Sequence, residues 1–284
     1  MRIVKRKKGR SEYFYLQYSF RSDGRVITRE KYLGKTIQKN LEEIKEELAS
    51  EAKKLLHAKL GKIKDGFQKE WKRYPVEIKE KIAQQIAVAF TYNTNAIEGS
   101  AITLEEAREI IEDKIAPNKP LKGIRETESH AAVFLAMLKA KENVSKELIL
   151  KWHKSIFGET KPNVAGKFRK YPVRVGNYTA PDWRDVTKFM NRFIVFVSKA
   201  KLNPVELAAR AHYRFEKIHP FGDGNGRIGR LIMNYILWRN GYPMIIVEFK
   251  KRKIYYKALQ KGEEGFVSYF IKKYLVVHRE YLRI

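Results

Sequence analysis

The 284-residue sequence predicts a mainly α protein: a helical bundle with one small β-hairpin, preceded by a short β-rich appendage. Three observations carry this. From Asn40 onward apolar residues recur at helical spacing, as in Leu41, Ile44, Leu48, Leu55 and Leu56. Two segments instead alternate about turn residues, one around Asp23-Gly24 and the other around Gly176-Asn177. No internal repeat or low-complexity run suggests a solenoid or a tail.

Residues 1–40 form the appendage. Tyr13 to Phe20 and Arg25 to Leu33 read as strands, and Ile3-Val4 offers a third. A two-residue loop at Asp23-Gly24 sets Phe20 opposite Ile27, Tyr18 opposite Arg29, Leu16 opposite Lys31 and Phe14 opposite Leu33. That face interleaves aromatics with cations. It has two readings, a nucleic-acid-binding sheet or a sheet packing Phe14, Leu16 and Phe20 on the next helix. Strand aromatics are ordinarily core, which favours packing. Residues 41–75 read as a connector, an amphipathic helix followed by a polar, Trp-containing junction from Lys62 to Pro75.

Residues 76–284 read as one helical domain. Val76 to Ile97 is a helix, Thr103 and Glu106 make a capping box for a helix through Lys114, and Asn118-Lys119-Pro120 is a loop. Ile124 to Lys141 and Ser145 to Phe157 are two more helices, and Pro181 to Ala200 is another with a Phe/Ile/Val face. Asn203 caps a helix with Pro204 in its first turn that runs up to His219. Leu231 to Asn240 is apolar enough to be buried and stops at Gly241, and Tyr255 to Gly262 begins the last helical region.

The chemistry concentrates at His219-Pro220-Phe221-Gly222-Asp223-Gly224-Asn225-Gly226-Arg227-Ile228-Gly229-Arg230, a turn that opens a helix. Glycines let backbone amides approach a ligand, and the unpaired N–H groups and dipole of a helix N-terminus favour an anion. Arg227 and Arg230 are three apart, so both guanidinium groups are expected to reach one polyphosphate. Asp223 is a hard oxygen ligand suited to Mg²⁺ that also binds phosphate. Of the six histidines only His219 lies in a loop beside such elements, as a candidate general base. His212 lacks the further ligands a metal site needs. His57, His130, His153 and His278 read as helix-surface or core residues.

This stretch resembles, at every specified position, the motif His-Pro-Phe-x-(Asp/Glu)-Gly-Asn-Gly-Arg-x-x-Arg of the Fic family. The resemblance extends from about Thr94 to about Gly265. Gly166-Lys167-Phe168-Arg169, followed by Val173, Arg174, Val175 and Gly176, is similar to the family's flap, a hairpin that docks the target by strand pairing. Thr94-Asn95-Ala96-Ile97-Glu98-Gly99 resembles its inhibitory motif, with Thr94, Glu98 and Gly99 at the specified positions.

The resemblance implies a Fic-type helical bundle and a protein adenylyltransferase moving AMP from ATP to a Ser, Thr or Tyr hydroxyl of a target protein. It assigns His219 as base, Asp223 to Mg²⁺ and Arg227 with Arg230 to the β/γ end. Asn225 and the amides of Gly224 and Gly226 would neutralise the reacting phosphate. Glu98 pairing with Arg230 would exclude the γ-phosphate, leaving the enzyme off at rest. Removal of AMP and kinase-like transfer share this site and stay open.

Fifty-nine Lys and Arg against 32 Asp and Glu give a formal charge of +27, which suits an anionic ligand, an acidic target or nucleic acid. The same Lys- and Glu-rich surface fits heat adaptation. Residues 1–40 alone carry twelve Lys or Arg against three Asp or Glu, leaving a nucleic-acid-binding regulator as the rival from another class. There is no cysteine, no apolar run approaching ~20 residues and no apolar segment after the basic start, so a cytoplasmic, non-membrane protein is expected. Auto-modification and a homodimer are compatible with this reading.

Overall fold

In the computed structural model the alternation of the first forty residues becomes an antiparallel sheet, and the regular structure described in the rest of the chain is helical apart from one two-stranded ribbon. The structure describes residues 1–22, 25–37, 41–176 and 178–283; Asp23-Gly24 and Asn177, centres of the two expected turns, lie outside them. The chain divides into two units, Met1–Gly61 and Lys62–Ile284.

The first unit holds β1 (Arg2–Lys8), β2 (Ser11–Ser22) and β3 (Arg25–Gly34), in the order β1-β2-β3. The pairs Phe20↔Ile27, Tyr18↔Arg29 and Leu16↔Lys31 match the expected register. Phe14 does not. A bulge between Phe14 and Tyr15 leaves Phe14 opposite Gly34, where an unbroken ladder would give Leu33. Leu33 is instead fully buried with Leu16 against Ile44 and Leu48 of α1 (Leu41–Arg73), flanked by Phe14 and Leu41. On the same face Arg29 pairs with Glu51 and Lys31 with Glu47. Leu16 and Leu33 are core and these two cations are matched by glutamates of α1, which favours the packing reading of this face; the side chains of Phe20 and Ile27 lie outside the described residues.

In the second unit α1 continues through the segment expected to be a junction. Ile63, Phe67 and Trp71 recur every fourth residue, so they share a helix face. Ile63 is fully buried, and Phe67 and Trp71 lie 6.0 and 5.3 Å from the Trp238 ring. That packing keeps the polar sequence helical to Arg73. α2 (Val76–Ile97) follows, then α3 (Leu104–Arg108) with the expected Thr103/Glu106 capping box. Residues Glu109–Asp113, expected to stay α-helical, form a π-turn ending at Lys114 in a left-handed conformation.

Next come α4 (Leu121–Lys139), α5 (Lys146–Phe157) capped by Ser145, the ribbon β4 (Arg174–Val175) and β5 (Tyr178–Thr179), and α6 (Val186–Lys199). α7 (Pro204–Ile218) and α8 (Asn225–Arg239) pack as a hairpin, followed by α9 (Arg252–Gln260) and α10 (Gly262–Val277). α8 is buried from Asn225 to Leu237, with α2, α4, α5 and α7 against it. A helix buried on all sides is held rigidly, and it presents its N-terminus to the loop after His219.

Candidate anion-binding site at the start of helix α8

Two local rules stop α7 and start α8. Pro220 lacks an N–H to continue the helix, and His219 takes a left-handed conformation (φ 49°) as its cap. Gly224 (φ 80°) then turns the chain into α8 beside the Phe157 ring, where a Cβ would overlap that ring. Asn225 locks the turn: its Oδ1 accepts from the Phe221 amide (2.8 Å) and its Nδ2 donates to the Phe221 carbonyl (2.9 Å). With Oδ1 and one N–H of Nδ2 engaged and the residue 2 % exposed, Asn225 shapes the cradle.

Two residues hold the loop from outside, Arg169 of the flap segment and His153, which the sequence reading took as a helix-surface or core residue. The Arg169 guanidinium donates to the carbonyls of His219 (2.8 Å), Tyr171 (3.0 Å) and Pro181 (2.6 Å), joining the loop to both flanks of the flap. His153 accepts from the Gly166 amide (2.9 Å) at Nδ1 and so donates from Nε2 to the Asp223 carbonyl (2.9 Å), while its ring stacks on Phe221 at 3.8 Å. Burial lowers His153 to a pKa of about 4, which keeps it neutral. Nothing in the sequence marks His153 out, since its partners lie 13 and 70 residues away.

The anion cradle holds a side chain of the same molecule. Glu98, just past the end of α2, places Oε1 2.7 Å from Nη2 of Arg230. Its oxygens lie against the first turn of α8, where a Cβ on Gly226 would overlap Glu98 Oε1. The carboxylate stands where a phosphate oxygen would sit at a helix N-terminus. Thr94 completes the arrangement: its hydroxyl accepts from Arg230 Nε (2.6 Å) and its carbonyl from Nη2 (3.1 Å). Gly99 (φ 91°) ends the turn, with its amide donating to the Ala96 carbonyl. Burial opposes charge on Arg230, but Glu98, Tyr255 and Glu216 outweigh it and hold the guanidinium above its usual pKa. The Glu216 carboxyl, also near Glu98 and Arg230, is pushed up to about 7 by burial.

Arg227 goes elsewhere. It is 5 % exposed, pairs with Glu126 of α4 and lies over the Phe157 ring at 4.3 Å. Lys161 joins Glu126 (2.9 Å) to Asp223 (2.6 Å), and Arg227 stands 3.6 Å from Asp223. Burial raises both carboxyls, but Arg227 and Lys161 overcome it and leave Glu126 and Asp223 below the ordinary carboxylate range. Arg227 and Arg230 thus meet different carboxylates. Helix spacing put them on neighbouring positions, but Glu126, 101 residues away in sequence, captures one of them.

His219 lies between cradle and flap. Its Nδ1 is 3.3 Å from the Glu216 carbonyl and carries the proton, leaving Nε2 as the acceptor. Burial lowers its pKa, against the smaller opposing effect of the Glu216 carbonyl, so the neutral ring dominates below the usual histidine value. In the flap Arg174 pairs with Thr179 and Val175 with Tyr178. The Ala180 amide donates to the Val173 carbonyl (3.0 Å), and Arg174 Nε to the Gly176 carbonyl (3.0 Å), with Gly176 at φ 56°. The Tyr178 hydroxyl donates to the Lys217 carbonyl (2.8 Å), tying the ribbon to the last turn of α7. Arg174, Val175 and Gly176 are exposed. His212, set aside as a metal ligand, is buried and bonded to Tyr255 (2.7 Å), and no cluster of three His, Cys, Asp or Glu suited to a metal occurs among the described residues.

Fold and site together define a helical bundle whose catalytic-type loop presents an anion cradle with an internal carboxylate in it. Residues 143–237, from the turn before α5 into α8, match the Fic/DOC family. Curated relatives include the protein adenylyltransferase Fic of Nematostella vectensis, 36% identical over 203 residues, which is 69% of this chain and 46% of that protein. Another is that of Drosophila melanogaster, 36% identical over 190 residues, 64% of this chain and 38% of that protein. The chain spans less than half the length of these two relatives. Among solved structures, Fic-1 (residues 134–508) from C. elegans has a TM-score of 0.69 at 26% identity, covering 82% of this chain and 74% of that one. A Fic domain containing signaling protein from Bacteroides thetaiotaomicron shares the fold, with a TM-score of 0.67 at 24% identity over 78% and 97% of the two chains.

Proposed function

We propose that this chain transfers AMP from ATP to a Ser, Thr or Tyr hydroxyl of a target protein, and that Glu98 holds the site off at rest. The observation that carries this is the Glu98 carboxylate seated on Arg230 at the N-terminus of α8, an anion site already filled from within. When Glu98 withdraws, Arg230 and the amides of Gly224 and Gly226 take the phosphates of ATP. The target hydroxyl oxygen attacks the α-phosphorus, the bond to the bridging oxygen of the β-phosphate breaks, and pyrophosphate leaves. The hydroxyl proton passes to Nε2 of His219, which its Nδ1 contact to Glu216 leaves free. Arg227, engaged by Glu126, steadies Lys161 and Asp223.

Asp223 fits a Mg²⁺ ion. It is a half-exposed carboxylate beside the cradle, and Mg²⁺ is commonly held by one or two carboxylates plus phosphate oxygens. Bound there, the ion would neutralise charge on the phosphates. The flap segment from Val173 to Gly176, exposed from Arg174 onward, is suited to pair with an extended stretch of the target. The excess of basic residues supports an acidic target surface, and the lack of cysteine supports the cytoplasm as the compartment. No helix among the described residues is long and apolar enough to cross a membrane.

The test is to incubate the Glu98→Gly variant with ATP labelled at the α or the γ position, with and without cell lysate. Label carried to protein, the chain itself included, from the α position alone supports AMP transfer. Label from the γ position alone would establish kinase-like transfer instead. Release of AMP from a pre-modified protein by the wild type, lost in the variant, would establish removal.

A further inference from the structure

The site above makes no use of the N-terminal sheet. Its face away from α1 is built differently from the packed one. Register places Arg6 opposite Tyr13, Val4 opposite Tyr15 and Arg2 opposite Gln17, then Tyr15 opposite Tyr32 and Gln17 opposite Glu30. Side chains alternate across a strand, so these residues share the face opposite Leu16 and Leu33. Tyr32 is 52 % exposed and its ring lies 6.1 Å from that of Tyr13 and 5.4 Å from that of Tyr15. Cations sit on this cluster: the Arg6 guanidinium is 5.0 Å from the Tyr15 ring and the Lys35 ammonium 5.9 Å from the Tyr13 ring.

The charge on this face is unbalanced. Glu30 is its one carboxylate among the described residues, and Arg6 takes it at 2.7 Å. Arg2 bonds the neutral Gln17 (2.5 Å), and among the described residues no carboxylate pairs with Lys8. Alternate residues of a strand stand about 7 Å apart, so Arg2, Arg6 and Lys8 form a row of cations along an edge strand, beside an aromatic platform. An acidic protein needs only the row. A strand of nucleotides needs both parts, cations for its phosphates and exposed rings for its bases. We propose that this face binds single-stranded nucleic acid, with the backbone along β1 and bases stacked on Tyr32 and its neighbours.

The experiment is fluorescence anisotropy of the full chain with a labelled oligothymidylate of about 16 nucleotides, the upper site size of one such module. Saturable binding is expected. If three to five phosphates are neutralised, raising salt from about 50 to about 200 mM should weaken it about 20- to 100-fold. Tyr32→Ala should weaken it about 5- to 100-fold while Tyr32→Phe, which keeps the ring, binds like the wild type. The Arg2→Ala/Lys8→Ala variant leaves the packed face untouched and should lower the salt slope by about 1.4, whereas Lys54→Ala on exposed α1 surface should not change it. A thermal melt of each variant confirms folding. Absence of saturable binding, Tyr32→Ala binding as tightly as the wild type, or a duplex of equal length bound as well by both would overturn the proposal.

Discussion

Replacing Glu98 by glycine removes the carboxylate from a guanidinium whose side chain is 2 % exposed, whereas Glu98 itself is 30 % exposed. A hydrogen bond to a charged group contributes about 1.5–3 kcal/mol, so the internal pair disfavours ATP at Arg230 by about 10- to 150-fold. Transfer by Glu98→Gly, measured as initial rate with α-labelled ATP below saturation, should rise by that factor. The variant should also be less stable without nucleotide. Breaking a buried pair costs about 3–5 kcal/mol when the remaining charge is left bare. Here Arg230 keeps the Thr94 hydroxyl and carbonyl at 2.6 and 3.1 Å, so the loss should be nearer 1–3 kcal/mol, a drop in Tm of several degrees. ATP should then raise Tm more in the variant than in the wild type, because the phosphate supplies the missing anion. A folded variant whose rate is flat or lower, and whose melting responds to ATP as the wild type does, would refute the reasoning.

Four further outcomes are expected. His219→Ala should lose about 10²–10⁴-fold in transfer while ATP affinity measured by calorimetry stays close to wild type, since the imidazole serves the hydroxyl and binds no phosphate. Asp223→Ala should abolish the Mg²⁺ dependence of ATP binding in a calorimetric titration, and unchanged dependence would place the metal elsewhere. Gly226→Ala sets a methyl against Glu98 Oε1 and Arg230, so it should fold but lose stabilisation by ATP, the reverse of Glu98→Gly. Glu216 has a carboxyl pKa raised to about 7 when folded against an ordinary 4.5. Its stabilising contribution is therefore complete below about pH 4.5 and is lost as pH rises through 7. Glu216→Gln should cancel up to about 3 kcal/mol of that decline in melts across pH 4.5 to 8, and parallel profiles would show that burial does not act on it so strongly.

What could be read in the sequence was mostly local. Pro220 after a helical pattern, glycines at 222, 224 and 226, and Asn203 with Pro204 fix where α7 ends and α8 begins, and Val76–Ile97 is a helix with the expected limits. The Thr103/Glu106 box is likewise decided by residues three apart. What escaped depended on distant partners. Ile63, Phe67 and Trp71 look like a polar junction until Trp238 and Tyr281 supply a surface for them. The bulge at Phe14 and Tyr15 moves Phe14 from Leu33 to Gly34, and no pairing rule applied to the strand alone announces it. The structural part of Asn225, which bonds both the amide and the carbonyl of Phe221, likewise shows only in the folded loop.

The separate fates of the two arginines also say which part of the site can change state. Arg227 is enclosed by Glu126, Phe157 and the Lys161 bridge, so leaving its place would take one of two cationic partners from the largely buried Glu126 carboxylate, which disfavours its movement. Arg230 is fixed by Thr94 and by its place on a helix buried on every side. Glu98 is different. It caps the end of α2, it is the most exposed member of its pair, and the turn after it runs through Gly99 at φ 91°, a conformation that favours glycine. Under the proposed function, an exchange between carboxylate and phosphate at Arg230 would require movement of one side chain at a helix end, over a guanidinium and a set of amides that stay where they are. A device of this kind is tuned by the Glu98 turn, so changes at Gly99 should alter the resting rate without altering the rate of the Glu98→Gly variant.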